Sequence, residues 1–323
     1  MSGTCAIILN WNRWQDTIEC LESLLLLEPR IETITVCDNA SSDGSNEKIL
    51  SWAGKHYRFS SILVLDQDTD IARKTPPPPF VFIQNHSNLG YAGGNNTGIR
   101  FVLSQGTYEY VWILNNDTVV HPRVLSALLV CALRDPDVGI LGSTVVHFER
   151  KERVQCAGGC RYYPLTTIFR PLFENEILDD LLRHRPKVRL DYVYGTSMFV
   201  SAKVFERVGL LNEEYFLFYE ELDFCERARR VGFKIGWCPD SIVYHKGSST
   251  IGRPDSSDSK RIAFANYYEN LSTLKYTRRF HPWALPIAMV CRFAGKLTMI
   301  AKRREWYLIR PLFRAYRDFM KAL

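Results

Sequence analysis

No stretch of this sequence reaches the ~18 charge-free apolar residues that a membrane-spanning helix needs. The best candidate, Trp283 to Ile300, is interrupted by Arg292 and Lys296. A basic leader and a cleavage site are also missing. Met1-Ser2-Gly3-Thr4 runs straight into a strand-like segment, so no signal peptide is expected. Cysteine frameworks lack their spacing: the nine cysteines are odd in number and scattered, and Cys156 and Cys160 miss a CxxC spacing and have no companion pair. These thiols read as small core residues in a reducing compartment. Two phosphate-binding fingerprints, GxGxxG and GxxxxGK[ST], are absent. No internal repeat is visible.

What is present is a globular composition. The chain has 323 residues, 46% hydrophobic and 24% charged, which suits one large domain or two. Its net charge of +6 is unevenly placed. From Lys260 to Leu323 there are 14 Lys/Arg against 3 Asp/Glu, a local net of +11, leaving −5 on the body before it. A basic tail on an acidic body points to an anionic surface, either lipid headgroups or nucleic acid. The sequons at Asn95, Asn116 and Asn270 weigh little, and two of them fall in the candidate site.

The most informative segment is Tyr110-Val111-Trp112-Ile113-Leu114, which stops at Asn115-Asn116-Asp117-Thr118. The first five residues read as a central strand. The oxygen-bearing side chains then sit at its carboxyl end, where open α/β sheets bind ligands. A carboxylate there suits a hard divalent cation that grips a diphosphate, although Asn and Asp also favour turns on their own account. The same alternation occurs throughout the first half. Strands are expected at Cys5–Leu9, Ile31–Cys37, Phe80–Ile83 and Tyr110–Leu114, and helices at Asp16–Leu27, from Ser45 to about Trp52, up to about Leu103, and at Pro122–Leu133. That spacing means βαβ units and a mostly parallel sheet, with Asn10, Asp38, Asn88 and Asp117 converging on one edge. The segment from Asp66 to Pro79 reads as a surface loop.

The second half is less regular. Val193 to Val200 is strand-like, Glu220-Glu221-Leu222-Asp223 opens a helix ending near Val231-Gly232, and Lys234–Trp237 and Ile242–Tyr244 are short strands. Several residues could do chemistry. Asp38 either accepts the imide N–H of a pyrimidine base or caps its turn. The Asn88–Gly98 loop lets backbone approach a ligand and opens a helix. The acids at 220, 221 and 223 are either a helix N-terminal cluster or contain a general base. Glu221 and Asp223 are two apart and cannot share a helix face, so at most one is the base. His245 ends a strand, and beside Asp117 it would suit Mn²⁺ as well as Mg²⁺.

Taken in order, Ala6–Asn12, Asp38–Ser45, Asn88–Gly98, Leu114–Thr118, Gly195–Phe199, Tyr215–Arg227 and Val243–His245 resemble the family 2 inverting glycosyltransferases of the GT-A fold, in particular the bacterial rhamnosyltransferase-like branch. The resemblance covers roughly residues 4–250. It implies an α/β fold of Rossmann-like type, with a mostly parallel central sheet and flanking helices, here followed by a basic helical extension. The expected division is a glycosyltransferase domain over 1–255 and an extension over 256–323 serving a membrane interface or oligomerisation. Donor-binding roles fall on Asn10, Asp38, Asn88, Gly90, Gly94, Asn95 and Asn116. Metal-binding roles, for Mg²⁺ or Mn²⁺, fall on Asp117 and His245. The base falls on Glu221, with Asp223 as the alternative. Three departures stand out: Asn115 where the metal motif has Asp, Glu221 where the base is usually the shorter Asp, and Glu269-Asn270 where the family often shows Arg-Asn after a Tyr pair.

The implied reaction is metal-dependent inverting transfer from a dTDP- or UDP-sugar, with rhamnose from dTDP-rhamnose as the guess by branch. The acceptor would be a hydroxyl of a glycan or lipid-linked glycan in cell-surface polysaccharide synthesis. The expected location is cytoplasmic, on the inner face of the membrane, with a homo-oligomer as an option. In the tail, Arg292, Lys296, Arg303, Arg310, Arg314 and Arg317 recur at helical spacing among aromatics, as a membrane-surface helix would show. Pro311 is expected to start a new helix. Rival readings are a non-catalytic nucleotide-sugar or glycan-binding module and a nucleotidyltransferase. The latter is disfavoured because Asn10-Trp11-Asn12 is not a glycine-rich basic loop. Nucleic-acid binding is disfavoured by the acidic body.

Overall fold

The computed structural model describes residues 3–69, 76–247 and 259–322. The first half is strand–helix alternation: β1 Thr4–Asn10, α1 Trp14–Leu25, β2 Thr33–Asp38, α2 Ser45–His56, β3 Ile62–Asp66, β4 Phe80–Gln84, α3 Gly90–Gln105, β5 Tyr110–Asn115, β6 Thr118–Val120 and α4 Val124–Arg134. Next come β7 Val138–His147, β8 Val154–Ala157, β9 Gly159–Tyr163, β10 Ile168–Pro171, α5 Leu178–His184, β11 Tyr192–Val193, β12 Ser197–Ser201 and α6 Ala202–Val208. The chain ends with α7 Glu220–Arg230, β13 Lys234–His245, α8 Ser259–Phe280, α9 Leu285–Arg303 and α10 Ile309–Lys321.

The main sheet runs β3-β4-β2-β1-β5-β12-β7-β13-β6, with β8 on the side of β7. Its first five strands are parallel, β12 inserts antiparallel between β5 and β7, and β7 and β13 are parallel. Strands covered by helices on both faces must be apolar throughout, and β1 and β5 are. Ile7, Ile8, Trp112 and Ile113 are fully buried, split between a core on each sheet face. A second sheet, β10-β9-β11, stands apart from the first. This is the expected α/β architecture with C-terminal helices.

Three local differences have physical causes. β3 was not expected: Ile62-Leu63-Val64-Leu65 is a continuous but short apolar run, and as an edge strand it stays partly exposed. The two short strands at 234–237 and 242–244 are one strand, β13, broken in register between Cys238 and Ile242 where Pro239 intervenes. The glycine-rich segment after Asn88 is helical from Gly90 onward. A Cβ on Gly94 would stand 2.5 Å from Leu9 Cδ1, and one on Gly98 2.8 Å from Ile7 Cγ2. Those glycines let α3 lie close on β1. The expected domain boundary at 255/256 falls outside the described residues.

Candidate active site

Parallel strands bring their carboxyl ends to one edge, and the polar residues follow. Asn10 and Asp38 are register partners across β1 and β2. Asn10 Nδ2 donates to Asp38 Oδ1 at 2.6 Å, and Ser41 supplies its hydroxyl to Oδ1 and its amide to Oδ2. Gln84 Nε2 donates to Oδ2 at 2.9 Å. Four donors match the roughly four lone-pair sites of a carboxylate. Asp38 is therefore buried and fully engaged as the organiser of this turn.

A cavity of about 590 Å³ opens beside that edge. Of the expected donor residues, Asn88, Gly90 and Asn116 line it. Asn88 Oδ1 accepts from Asn39 Nδ2 and the Gly90 amide. Gly90 has φ +72°, and a Cβ there would sit 2.1 Å from the Phe216 carbonyl oxygen, so glycine is required. Gly94 and Asn95 do not reach the cavity. The early start of α3 places them a turn inside the helix, with Gly94 against Leu9 and Asn39 and Asn95 Nδ2 bonded to the Tyr91 carbonyl. Asn10 and Asp38 lie behind the wall and do not form it.

The metal-binding expectation has a specific geometry. β6 pairs antiparallel with β13, with Thr118 opposite His245, so Asp117 is brought alongside the imidazole. Asp117 Oδ1 and His245 Nε2 are 3.2 Å apart, both side chains being almost wholly buried. His245 Nδ1 contacts Gln155 Oε1 at 2.9 Å. With the Nδ1 proton on that bond, Nε2 turns a lone pair towards a carboxylate oxygen. Two acceptors facing each other need a proton or a cation between them, and ~3 Å is the spacing of adjacent ligands at ~2.1 Å from one ion. The Asp117–His245 pair thus fits a divalent cation, and Gln155, which the sequence did not single out, holds the ring orientation. A separate exposed cluster, Asp66, Asp68 and His86, lies at the β3–β4 edge of the sheet and does not line the cavity.

The third group is the start of α7. Phe218 and Tyr219 take consecutive left-handed conformations, φ +66° and +74°. That bend carries Glu220 and Glu221 into the cavity wall. Burial pushes the Glu221 carboxyl up to about 7. Glu220 is fully enclosed, and burial followed by the neighbouring Glu221 charge pushes it well above the usual range. Asp223 faces the other way: Arg227 Nε bonds its Oδ1 and Arg279 Nε stands 3.6 Å from its Oδ2. It does not line the cavity. The Tyr91 and Tyr194 hydroxyls, pushed up by burial, also feel the charges of both Glu221 and Asp117. The two halves of the site therefore meet around these tyrosines. Neither tyrosine carried a sequence signal. Tyr91 lies within the glycine-rich Asn88–Gly98 segment and Tyr194 within the strand-like Val193–Val200 run.

The opposite wall is apolar, with Phe169, Pro171 and Tyr192 from the small sheet, Phe216 and Leu217 before α7, and Phe264 from α8. α8 is tied to α9 by charge. Arg292 Nη2 lies 3.1 Å from Glu269 Oε1, Lys296 Nζ 2.7 Å from Glu269 Oε2, and Arg292 also bonds Asn270 and Thr167. Glu269, the departure after the Tyr pair, is thus the partly exposed partner of buried Arg292. The expected single basic face of the tail does not form. Arg292 and Lys296 turn inward, and Arg314 and Arg317 pair with Asp318.

Known proteins share this sequence pattern and fold. Residues 3–263 match the family described as Glycosyltransferase like family 2. The chain is 30% identical over 188 residues to the low-salt glycan biosynthesis hexosyltransferase Agl10 of Haloferax volcanii, covering 58% of each chain. It is 24% identical over 252 residues to the N-acetylglucosaminyl-diphospho-decaprenol L-rhamnosyltransferase of Mycobacterium tuberculosis, covering 73% of this chain and 74% of that one. In fold it is similar to the mannosyltransferase PcManGT from Pyrobaculum calidifontis, solved with GDP-Man and Mn²⁺. That match has a TM-score of 0.55 at 16% identity and covers 98% of this chain and 86% of that one.

Proposed function

The chain belongs to glycosyltransferase family 2 and is a glycosyltransferase of the GT-A fold, and from that premise we propose metal-dependent, inverting transfer of a hexose or deoxyhexose from dTDP or UDP to a hydroxyl of a lipid-linked glycan. The observation that supports it most is the shared cavity, lined together by Glu221, by Asp117 and His245, and by apolar side chains. The rhamnosyl donor and polyprenyl-diphosphate-linked acceptor are suggested by the name of the mycobacterial relative.

Asn88, the Gly90 backbone and Asn116 border the space for the nucleotide diphosphate. Asp38 holds the turn after β2 that flanks it. Asp117 and His245 would hold Mg²⁺ or Mn²⁺, which supplies positive charge to the leaving diphosphate. Glu221 accepts the proton of the acceptor hydroxyl. As it does so, that oxygen bonds the anomeric carbon and the anomeric carbon–phosphate oxygen bond breaks, with the electron pair leaving on the diphosphate. One carboxylate on the acceptor side suffices for inversion. Its position near 7 suits a base working at neutral pH, because it is substantially ionised yet still basic. Glu220, held protonated beside it, leaves the negative charge on Glu221. The apolar wall from Phe169 to Phe264 suits an acceptor that carries an isoprenoid chain better than a free sugar.

The test is thermal stabilisation by UDP, dTDP, GDP and their sugar conjugates, each with Mn²⁺, Mg²⁺ or EDTA. A ligand that binds only the folded chain raises the midpoint according to its affinity. The proposal requires a cation-dependent shift with UDP or dTDP. The absence of any nucleotide shift contradicts it.

A further inference from the structure

The outer side of α9 carries a feature that transfer chemistry does not use. On that side Ile287 and Val290 are 52% and 69% exposed, followed by exposed Cys291, Ala294, Thr298 and Ala301, and Trp283 just before α9 is 67% exposed. The two cations within the helix turn inward to Glu269, so the solvent side from Pro282 to Ala301 carries no charge. No Asp or Glu occurs between Pro282 and Arg304. By length and mean hydropathy, and despite the two inward cations, the segment Pro282–Arg303 is long and apolar enough to cross a membrane, and most of it is not buried. An exposed apolar strip of this length marks an interaction surface.

We propose that α9 lies on an anionic phospholipid surface with this uncharged side down, bringing the mouth of the cavity to headgroup level. The partner is a bilayer because of what flanks the strip. At its end stand exposed Lys302, Arg303 and Arg304, followed by Trp306 and Tyr307, 58% and 40% exposed. Aromatics and cations at the rim of an apolar strip match a membrane interface with anionic lipid. A second copy of the same face brings only Glu305 against the three cations Lys302, Arg303 and Arg304. The helix lies on the membrane and does not cross it. Arg292 is buried against Glu269, Asn270 and Thr167, and Ala288 and Ile300 are enclosed. Insertion would tear all of these contacts from α8 and the β9–β10 turn.

The seat also points the site. Ile300 and Leu308 pack on Ile262 and Ala263 at the start of α8. The neighbouring Lys260, Arg261 and Phe264 line the cavity. The cationic end of α9 therefore stands beside the cavity mouth, where a lipid-linked acceptor with a diphosphate at headgroup depth would enter. This last step rests on the proposed acceptor class, whereas the seat itself does not.

The experiment is sedimentation of the full chain with vesicles of phosphatidylglycerol and phosphatidylcholine, or of phosphatidylcholine alone, beside an Ile287→Glu/Val290→Glu variant. Light scattering and the nucleotide thermal shift are read on the same samples. The wild-type chain should bind the anionic vesicles, at least about tenfold more weakly when the lipid is neutral. The variant should lose about 100-fold or more, with its thermal shift intact. Wild-type chain left in the supernatant, or a variant that binds equally well, overturns the seat. A dimer that the variant dissolves, without vesicle binding, assigns the face to a second copy and also overturns it. Vesicle binding without any nucleotide shift keeps the seat and removes the glycosyltransferase site assignment.

Discussion

Gly195 stands directly against Glu221: a Cβ built on Gly195 would lie 1.9 Å from Glu221 Oε1. The Tyr91 hydroxyl donates to the Gly195 carbonyl at 2.9 Å and fixes this stretch of backbone ahead of β12. The carboxylate proposed as the base is a methylene longer than Asp, and the missing side chain at 195 is where the extra length fits. The obstructed atom is the end of a flexible side chain, so crowding it moves the carboxylate without disturbing the core.

Gly195→Ala should therefore leave the melting temperature and nucleotide binding nearly unchanged while lowering kcat about 100-fold, the cost of a misplacement near 1 Å. Shortening the base relieves the clash. Gly195→Ala/Glu221→Asp should recover at least about tenfold of that loss. Steady-state kinetics check both. A Gly195→Ala enzyme with wild-type kcat, or a double variant no better than Gly195→Ala, contradicts the relationship.

The pH dependence follows from the same carboxyl. Burial raises Glu221 to about 7, and the base acts only when ionised, so kcat should climb as pH rises through about 7 and then level off. For stability the sign is opposite. A carboxyl raised on folding favours the folded state below its ordinary value of 4.5, and that contribution is lost as pH rises towards 7. Glu221→Gln should flatten this part of the stability profile. A kcat flat from about pH 5.5 to 8.5 would contradict the assignment.

Gln155 orients His245. Gln155→Ala should weaken Mn²⁺ or Mg²⁺ binding about 10–100-fold, as loss of a partner behind a metal ligand does, with the fold retained. Asp117→Asn should abolish the cation-dependent part of the nucleotide thermal shift. Isothermal titration of each variant with metal and nucleotide checks this, and unchanged affinity in both would remove Asp117 and His245 as the pair.

Glu269 holds Arg292 inside the contact between α8 and α9. Burial would raise its carboxyl, and Arg292 and Lys296 outweigh that and hold it below the usual range. Glu269→Ala leaves a buried guanidinium without its carboxylate, and should cost about 3–5 kcal/mol in denaturant unfolding. A loss under about 1 kcal/mol would mean that the pair is solvated.

Much of this was legible in the sequence because it depends on period and chain order. Alternating apolar runs at Ile7, Val36, Phe82 and Ile113 give a parallel sheet, and a parallel sheet gathers its loops. Asn88, Asn116, Asp117, Glu221 and His245 all line the one cavity. What stayed hidden depends on contacts distant in sequence. Nothing local to Gly94 distinguishes a phosphate loop from a helix pressed on Leu9. Asp223 looks like a base until Arg227 and Arg279 are seen around it. Arg292 reads as part of a basic face until Glu269 turns it inward. The apolar wall comes from four segments distant in sequence.

The central claim is that Glu221 is the base, and it is tested most directly by Glu221→Gln. Transfer should fall about 10²–10⁴-fold, while the cation-dependent nucleotide shift stays at the wild-type level, because the amide keeps the shape of the wall and removes only the proton acceptor. Transfer within a few-fold of wild type, with donor binding intact, would contradict the account.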